Sequence, residues 1–376
     1  MKILLTGGGT GGHFYPIIAV AEALSKLAER EKIVTMDLVF MSDSPYDEEA
    51  LFRYRVRFKR IYAGKVRRYF SLLNISDTFK TIIGFVKSIW YIYLDFPDVV
   101  FSKGGYASFP VILASRLFRI PLIIHESDSI PGKVNLWAGK FAKRIAISFG
   151  ETASYFDKKK LALTGNPVRH EFFTPAKLGA GEFFNLEGGT PVIFIMGGSQ
   201  GAVKINETVL DILPNLLNDY QIIHQCGLLN ISEVKKITEV TIGKSIYKSR
   251  YHPFGFLDES GMRMAYAAAS IVISRAGSGS IFEIAASGAP SILIPLKGSA
   301  QGHQRENAYN YASSGASDVI EEDNLTPHLL ASEIRLVLKD EIRLEKMSKA
   351  AKEFSRKGAA LTIAEEIINL ALEHAS

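Results

Sequence analysis

The 376-residue sequence predicts an α/β protein built from two doubly wound parallel sheets, each covered by helices. Three observations carry this reading. Short β-branched runs alternate with segments of helical periodicity through the first half of the chain. A second such series begins at Pro191. The length, with 47% apolar and 22% charged residues, suits two cores at about 150 residues per domain and is far from the composition of a disordered chain.

In chain order, strand-like runs at 2–6, 36–41, 98–102, 120–124 and 144–147 are separated by helical patterns such as 16–29 and 108–117. The opening MKILLTGG is too short an apolar stretch for a signal peptide and reads as a buried first strand. Phe79, Ile82, Ile83, Val86, Ile89, Trp90 and Tyr93 recur at helical spacing, which predicts one buried helix face. The apolar block around them, Thr81 to Phe96, is broken by Lys87 and falls short of the roughly 20 residues of a membrane-spanning helix. Any membrane contact is therefore expected to be peripheral. From Gly165-Asn-Pro-Val-Arg to Thr190 the chain reads as a linker. Beyond it, strands at 192–196, 220–224, 270–273 and 291–294 alternate with helices near 203–215, 278–286 and 304–313. The tail, 326–374, is helical, and its last helix, about 358–374, is expected to cross back onto the first half. The expected domains are 1–166 together with 358–376, and 167–357.

Cys226 is the single cysteine, so no intramolecular disulfide or cysteine zinc site can form, and a reducing compartment is expected. The net charge of +5, from 44 Lys+Arg against 39 Asp+Glu, is mild but concentrated. Between Glu49 and Asp77 no acidic residue occurs, while Arg53, Arg55, Arg57, Lys59, Arg60, Lys65, Arg67 and Arg68 do. Phe52, Tyr54, Phe58, Tyr62, Tyr69, Phe70, Leu72 and Leu73 are interleaved with them. Apolar groups beside cations suit an anionic bilayer surface, with Arg67, Arg68, Tyr69, Phe70, Leu72 and Leu73 as the expected contact. A basic edge strand with a solvated loop is the alternative. Nucleic acid is not an expected partner, since no recognition fold accompanies the stretch.

The chemistry is expected in loops that follow strands, because ligands bind at the carboxyl edge of a parallel sheet. Three are glycine-rich: Gly7 to His13, Gly104-Gly-Tyr106, and Gly197-Gly-Ser-Gln-Gly201. None carries a dinucleotide or P-loop fingerprint. His13, expected just before the helix that Pro16 helps to start, is a candidate base, its pKa lowered by the positive helix end. His125-Glu-Ser-Asp128 brings an imidazole and two carboxylates to the same edge. Glu283, in the first turns of a helix, suits ribose hydroxyls or simply complements the helix dipole.

GGGTGGHFYP, SKGGYAS at 102–108, the His-Glu loop at 125, GNPVR at 165–169, GGSQGA at 197–202, RAGSGSIFE at 275–283 and HQRENA at 303–308 stand in the order seen in one family. The chain resembles the MurG glycosyltransferases, which convert lipid I into lipid II in peptidoglycan synthesis, and so serve cell-wall growth, shape and division. The resemblance implies a GT-B architecture of two Rossmann-like domains facing across a cleft. The second domain would hold UDP-GlcNAc and the first the acceptor, undecaprenyl-pyrophosphoryl-MurNAc-pentapeptide. It further implies that Thr10, Gly11 and Gly12 lie near the donor's sugar and diphosphate, and that Arg169 and Ser199 are donor ligands. Leu257 would meet the uracil through its backbone; Ser278, Gly279, Ser280, Ile281, Phe282 and Glu283 would form the nucleotide turn. Gln304 and Asn307 would contact sugar hydroxyls, and Gly104, Gly105 and Tyr106 the acceptor. His303 stands where some members carry Gln. Asp128 departs from the family's His-Glu-Gln-Asn, keeping acceptor lone pairs but losing the amide donors.

The implied reaction is an inverting displacement at C1 of GlcNAc by the MurNAc C4 hydroxyl. His13 is the expected base, with Glu126 and Asp128 as rivals. No cofactor is implied and no metal is required, there being no Asp-x-Asp motif. The implied location is peripheral, on the cytoplasmic face of a bacterial membrane. Two alternatives stay open: another GT-B lipid glycosyltransferase, such as a diacylglycerol glycosyltransferase, or a non-catalytic sugar-nucleotide-binding protein.

Overall fold

The computed structural model describes residues 1–64, 73–174, 179–197, 201–299 and 302–375. The chain divides into two compact units, Met1–Arg169 with Lys357–Ser376, and His170–Arg356.

The first unit runs β1 (Lys2–Thr6), α1 (Gly11–Arg30), β2 (Asp37–Ser42), α2 (Glu48–Arg53), β3 (Val56–Arg60), α3 (Leu73–Asp95), β4 (Val99–Ser102), α4 (Phe109–Leu117), β5 (Leu122–Glu126), α5 (Lys133–Gly139), β6 (Arg144–Ile147) and β7 (Leu161–Leu163). All its strand pairs are parallel, in the order β3-β2-β1-β4-β5-β6-β7. Both faces of this sheet are covered, so its inner strands are apolar on both sides. Successive residues of β1 serve different cores, as the two-residue repeat of a strand requires. Ile3 and Leu5 pack with Phe14, Ile17 and Leu24 of α1, while Leu4 packs with Val100, Val111 and Ile124 on the other side.

The second unit contains α6 (Ala180–Phe183), β8 (Val192–Met196), α7 (Val203–Leu216), β9 (Gln221–Gln225), α8 (Ile231–Ile242), β10 (Tyr251–Phe254), α9 (Glu259–Ala268), β11 (Ile271–Ser274), α10 (Ser278–Ser287), β12 (Ser291–Leu293), α11 (His303–Ser313), β13 (Ser317–Val319), α12 (Pro327–Leu338) and α13 (Glu341–Phe354). Its six strands are also all parallel, ordered β10-β9-β8-β11-β12-β13. The segment read from sequence as a linker holds the short α6 and a helical turn at His170–Phe173. The final helix, α14 (Ala359–Ala375), belongs to the first unit, where Ile363, Ile367 and Ala371 join the core built by α1.

Three expectations are corrected. The helix containing Pro16 begins at Gly11, with Thr10 in the extended N-cap conformation, so His13 lies within its first turn and not before it. Pro16 lies inside the helix, beyond its first turn, and removes the bond that an N–H there would make to the Gly12 carbonyl. The periodic face of α3 is also turned outward: Phe79, Ile82, Ile83, Val86, Trp90 and Tyr93 are 53–65% exposed. α3 is apolar on most sides, and the side that packs closest is the one with small residues. There Gly84 leaves no space for a Cβ against the Tyr62 carbonyl, and Ser88, Phe85 and Ile92 follow on the same inner side. Finally, the basic stretch is partly neutralised. Arg57 pairs with Asp37, Lys59 with Asp95 and Arg53 with Glu49. Lys65, Arg67, Arg68, Tyr69, Phe70 and Leu72, with the side chain of Leu73, lie outside the described residues. Among the described residues no helix is long and apolar enough to cross a membrane.

Ile367→Ala opens a cavity between α14 and α1, with an expected loss of about 2–5 kcal/mol in urea unfolding. Leu372→Ala, on the exposed side of the same helix, should stay within about 0.5 kcal/mol of the parent.

Candidate active site

Each sheet has a point where the chain departs from one strand to one side and returns on the other. In the first unit this lies between β1 and β4, in the second between β8 and β11. Loops leaving such a pair diverge and open a crevice at the carboxyl edge.

At the β1/β4 edge, the Gly8 N–H donates to the Gly104 carbonyl at 2.9 Å, drawing the two glycine loops together. A Cβ on Gly105, whose φ is +85°, would stand 2.9 Å from the Gly8 Cα and 3.4 Å from His13 Nε2. Glycine is thus required there for both reasons of space and conformation. Thr10 does not cap an amide; its hydroxyl lies 2.9 Å from His13 Nδ1. Nothing stands within 4 Å of the position a Gly12 Cβ would take, so the loop faces open space, with Gly11 closer to the Tyr46 hydroxyl. Burial, then the Lys103 ammonium, lowers the His13 pKa to about 4, against an upward pull from Asp128. Tyr106 donates to Asp43, and burial together with that carboxylate pushes its phenol upward.

The β5 end adds a second cluster. Glu126 is buried, yet its oxygens accept from the Asp128 and Gly132 amides, both at 3.0 Å, and from Asn135 Nδ2 at 2.9 Å. Burial and the neighbouring Asp128 raise its pKa, while those three donors oppose the shift. Asp128 is half-buried at the mouth of this loop, and its carbonyl accepts from the Thr152 hydroxyl. His125 is fully buried beside Lys103. Arg169 is buried with its guanidinium 4.3 Å over the Tyr15 ring.

At the β8/β11 edge, Ser199 lies outside the described residues. Around it, Gly201 (φ +79°) would drive a Cβ to 2.2 Å from the Cys226 carbonyl. That carbonyl accepts from Asn206 and Asn230, and Asn206 Oδ1 lies 3.0 Å from buried His224. On the other side of the crevice α10 starts at Ser278, whose N-cap Gly277 faces open space. The amides of Ser278, Gly279 and Ser280 are the first-turn donors a helix leaves unpaired. Ile281 already donates to Gly277, and the side chains of Ile281 and Phe282 turn into the core, Phe282 against Phe354 at 5.2 Å. Glu283, half-buried, accepts from the Tyr266 hydroxyl at 3.4 Å. Leu257 is buried. The Gln304 side chain accepts from the Leu296 amide at 3.0 Å. Asn307 is fully buried and donates to the Ala276 carbonyl at 3.4 Å, holding the turn rather than facing solvent. Among the described residues, no cluster of three or more His, Cys, Asp or Glu is arranged to hold a metal ion.

Sequence reasoning did not single out Lys103, Asp43, Asn135, Asn166 or Tyr266. Lys103 had a signal: it sits inside the 102–108 motif directly after an apolar strand. Asn166 likewise sits inside the 165–169 motif, while Asp43, Asn135 and Tyr266 are brought in by their contacts with Tyr106, Glu126 and Glu283.

Comparison with known proteins agrees with this geometry. Residues 3–147 match the glycosyltransferase family 28 N-terminal domain and residues 192–363 its C-terminal domain. A crystal structure of MurG from Acinetobacter baumannii superposes with a TM-score of 0.72 at 23% identity, covering 98% of this chain and 99% of that one. A UDP-GlcNAc 2-epimerase from Neisseria meningitidis, bound to UDP-GlcNAc, shares the fold at a TM-score of 0.70 and 14% identity, covering 98% and 100%. Two all-parallel sheets matched by both halves of one transferase family define a family 28 glycosyltransferase of the GT-B class. Over most of their lengths, two curated proteins named UDP-N-acetylglucosamine–N-acetylmuramyl-(pentapeptide) pyrophosphoryl-undecaprenol N-acetylglucosamine transferase resemble the chain more closely. That of Treponema denticola is 35% identical over 96% of each chain, and that of Clostridium novyi 36% identical over 90% of this chain and 91% of its own. The chain belongs to the MurG family of glycosyltransferases.

The buried histidines make stability fall in acid. Burial lowers the His224 pKa to about 3, below the unfolded value of 6.5. Between those values the unfolded chain binds the proton first, so acidification from pH 6.5 to 5 should cost roughly 2 kcal/mol through this residue. His125, also lowered by burial, acts in the same direction. Urea midpoints at pH 7 and pH 5 measure the effect.

Proposed function

We propose that the protein transfers GlcNAc from UDP-GlcNAc to the C4 hydroxyl of MurNAc in lipid I, with inversion at C1, to form lipid II. The observation that carries this reading is the similarity over 96% of both chains to a transferase so named. The second unit is the proposed donor domain and the first, with α14, the acceptor and membrane domain. Glu283 would accept from the ribose hydroxyls, the Leu257 backbone would meet the uracil, Ser199 would face the diphosphate, and Arg169 would be a further donor ligand. Gly104, Gly105 and Tyr106 would border the acceptor.

In the proposed step the C4 oxygen attacks C1, the bond from C1 to the diphosphate oxygen breaks, and UDP leaves with the electron pair. His13 takes the C4 proton on Nε2. For that, Nδ1 must carry the other hydrogen and donate it to the Thr10 hydroxyl, 2.9 Å away. A pKa near 4 leaves the Nε2 lone pair free at neutral pH, on a weaker base than one poised near 7. Glu126 is the weaker rival, because three N–H donors already occupy its oxygens. Asp128 remains for the sugar hydroxyls. Backbone amides at helix N-termini would meet the charge on UDP, so the scheme asks for no metal.

The exposed apolar side of α3 supports peripheral attachment to an anionic membrane, the proposed location being the cytoplasmic face of a bacterial cell membrane. Phe79, Ile82, Ile83, Val86, Trp90 and Tyr93 form a stripe that would enter the headgroup boundary. Arg67 and Arg68 precede it in sequence.

Assays of lipid I with UDP-GlcNAc, UDP-glucose and UDP-galactose test the reaction: transfer from UDP-GlcNAc is expected to dominate, and preference for another donor or for diacylglycerol would contradict it. His13→Ala should lower kcat by about 10²–10⁴-fold with UDP binding retained; unchanged turnover would exclude His13 as base. Phe79→Ser with Trp90→Ser should weaken binding to anionic vesicles at least about tenfold. Salt should weaken the parent's binding as well, and unaltered vesicle binding by the double variant would remove α3 from the interface.

A further inference from the structure

An ammonium taken out of water is costly unless every N–H finds an acceptor and opposite charge lies near. Lys103, at the end of β4, is 1% exposed. Its Nζ lies 2.6 Å from His125 Nδ1, 2.8 Å from Ser127 Oγ and 3.0 Å from Asn166 Oδ1. These are three acceptors for the three N–H groups of an ammonium, on side chains that are themselves 0, 5 and 3% exposed. The count assigns the protons. His125 Nδ1 must be the lone-pair nitrogen, so Nε2 carries the hydrogen and donates it to the Gly165 carbonyl at 3.0 Å. A neutral amine would offer only two donors and would need the Ser127 hydroxyl to turn its hydrogen onto the nitrogen lone pair, whereas the ammonium matches three acceptors outright. The partners come from the end of β5, the loop after it and the turn at 164–169, which the backbone joins through the end of β6, by Ser148 to Glu126 and by Thr164 and Gly165 to Ile147. Ser127 also stands between two carboxylates, Glu126 and Asp128.

We propose that Lys103 is the positioning residue of the 125–128 loop: its buried ammonium, with the Gly165 carbonyl, fixes the His125 tautomer and, bonded to Ser127 between Glu126 and Asp128, supplies the counter-charge for the carboxylates on either side. Charge balance then links the two positions, so that losing the cation at 103 calls for losing the anion at 128. The titratable groups acting on this site are consistent with such balance. Burial lowers the Lys103 pKa to about 7, with Glu126 and then Asp128 opposing the fall, and Lys103 and Asp128 pull the neighbouring His13 in opposite directions. The inference rests on the proposed function only in assigning Asp128 and His13 to the substrates.

Two measurements on the full-length protein test it. Long-range ¹H–¹⁵N spectra of histidine-labelled protein at neutral pH should give His125 as the Nε2–H tautomer with Nδ1 unprotonated; an Nδ1–H tautomer would overturn the proposal. A cycle of Lys103→Met, Asp128→Asn and the double variant is read by Tm and by kcat with UDP-GlcNAc and lipid I. Lys103→Met alone should lower Tm and reduce kcat at least about tenfold. Adding Asp128→Asn should restore Tm and part of kcat, or recover soluble protein if the single variant fails to fold. Losses that simply multiply, or a double variant no more soluble than Lys103→Met, would overturn it. Nε2–H at His125 and coupled Tm values in a protein that transfers no sugar would sink the functional reading and leave the charge pair standing.

Discussion

All the candidate chemistry depends on one constraint of parallel sheets: a strand cannot turn back on itself, so the loops of a doubly wound unit collect at the carboxyl edge. The crevice opens only where strand order reverses. In the first unit that place is the gap between β1 and β4, and the hydrogen bond from Gly8 to Gly104 spans it at 2.9 Å. In the second it lies between β8 and β11, where Gly197 follows β8 and α10 follows β11. Both places need glycine because backbone must approach backbone without a Cβ between.

The constraint has an electrostatic cost that is concentrated at the first edge. His125, Lys103 and Glu126 are all buried at the first edge, with His13 and Asp128 beside them. Each is tolerated because its hydrogen-bonding capacity is matched: three acceptors around the Lys103 ammonium, three donors around the Glu126 carboxylate. At the second edge Glu283 and the Arg275–Glu322 pair stand among neutral amides and hydroxyls.

The inner strands were legible because burial on both faces writes them as unbroken apolar runs, as in Ile3-Leu-Leu5 and VIFIM at 192–196. Short or edge strands carry a weaker mark; Arg57, Lys59 and Arg60 make β3 a basic run that suits an edge strand or a membrane surface alike, and Pro253 sits in β10, an edge strand of the second sheet. The facing of α3 was illegible for the opposite reason. With apolar residues nearly all round, periodicity names a stripe but not its side, and Gly84 and Ser88 decide it through close packing. Motif residues were easier to find than to orient. Phe282 and Asn307 stand in glycosyltransferase motifs, yet their side chains serve the core and the turn. Lys103 lay within a motif as well, but its function depends on Asn166, distant in sequence by 63 residues.

The central claim is that the nucleotide sits at the β8/β11 edge and the base at the β1/β4 edge. A crystal structure of the full chain with UDP-GlcNAc tests it most directly. The account predicts the ribose hydroxyls on the Glu283 carboxylate and the diphosphate beside helix N-termini of the second unit. A nucleotide bound instead between β1 and β4, against Gly8 and Gly105, would contradict it.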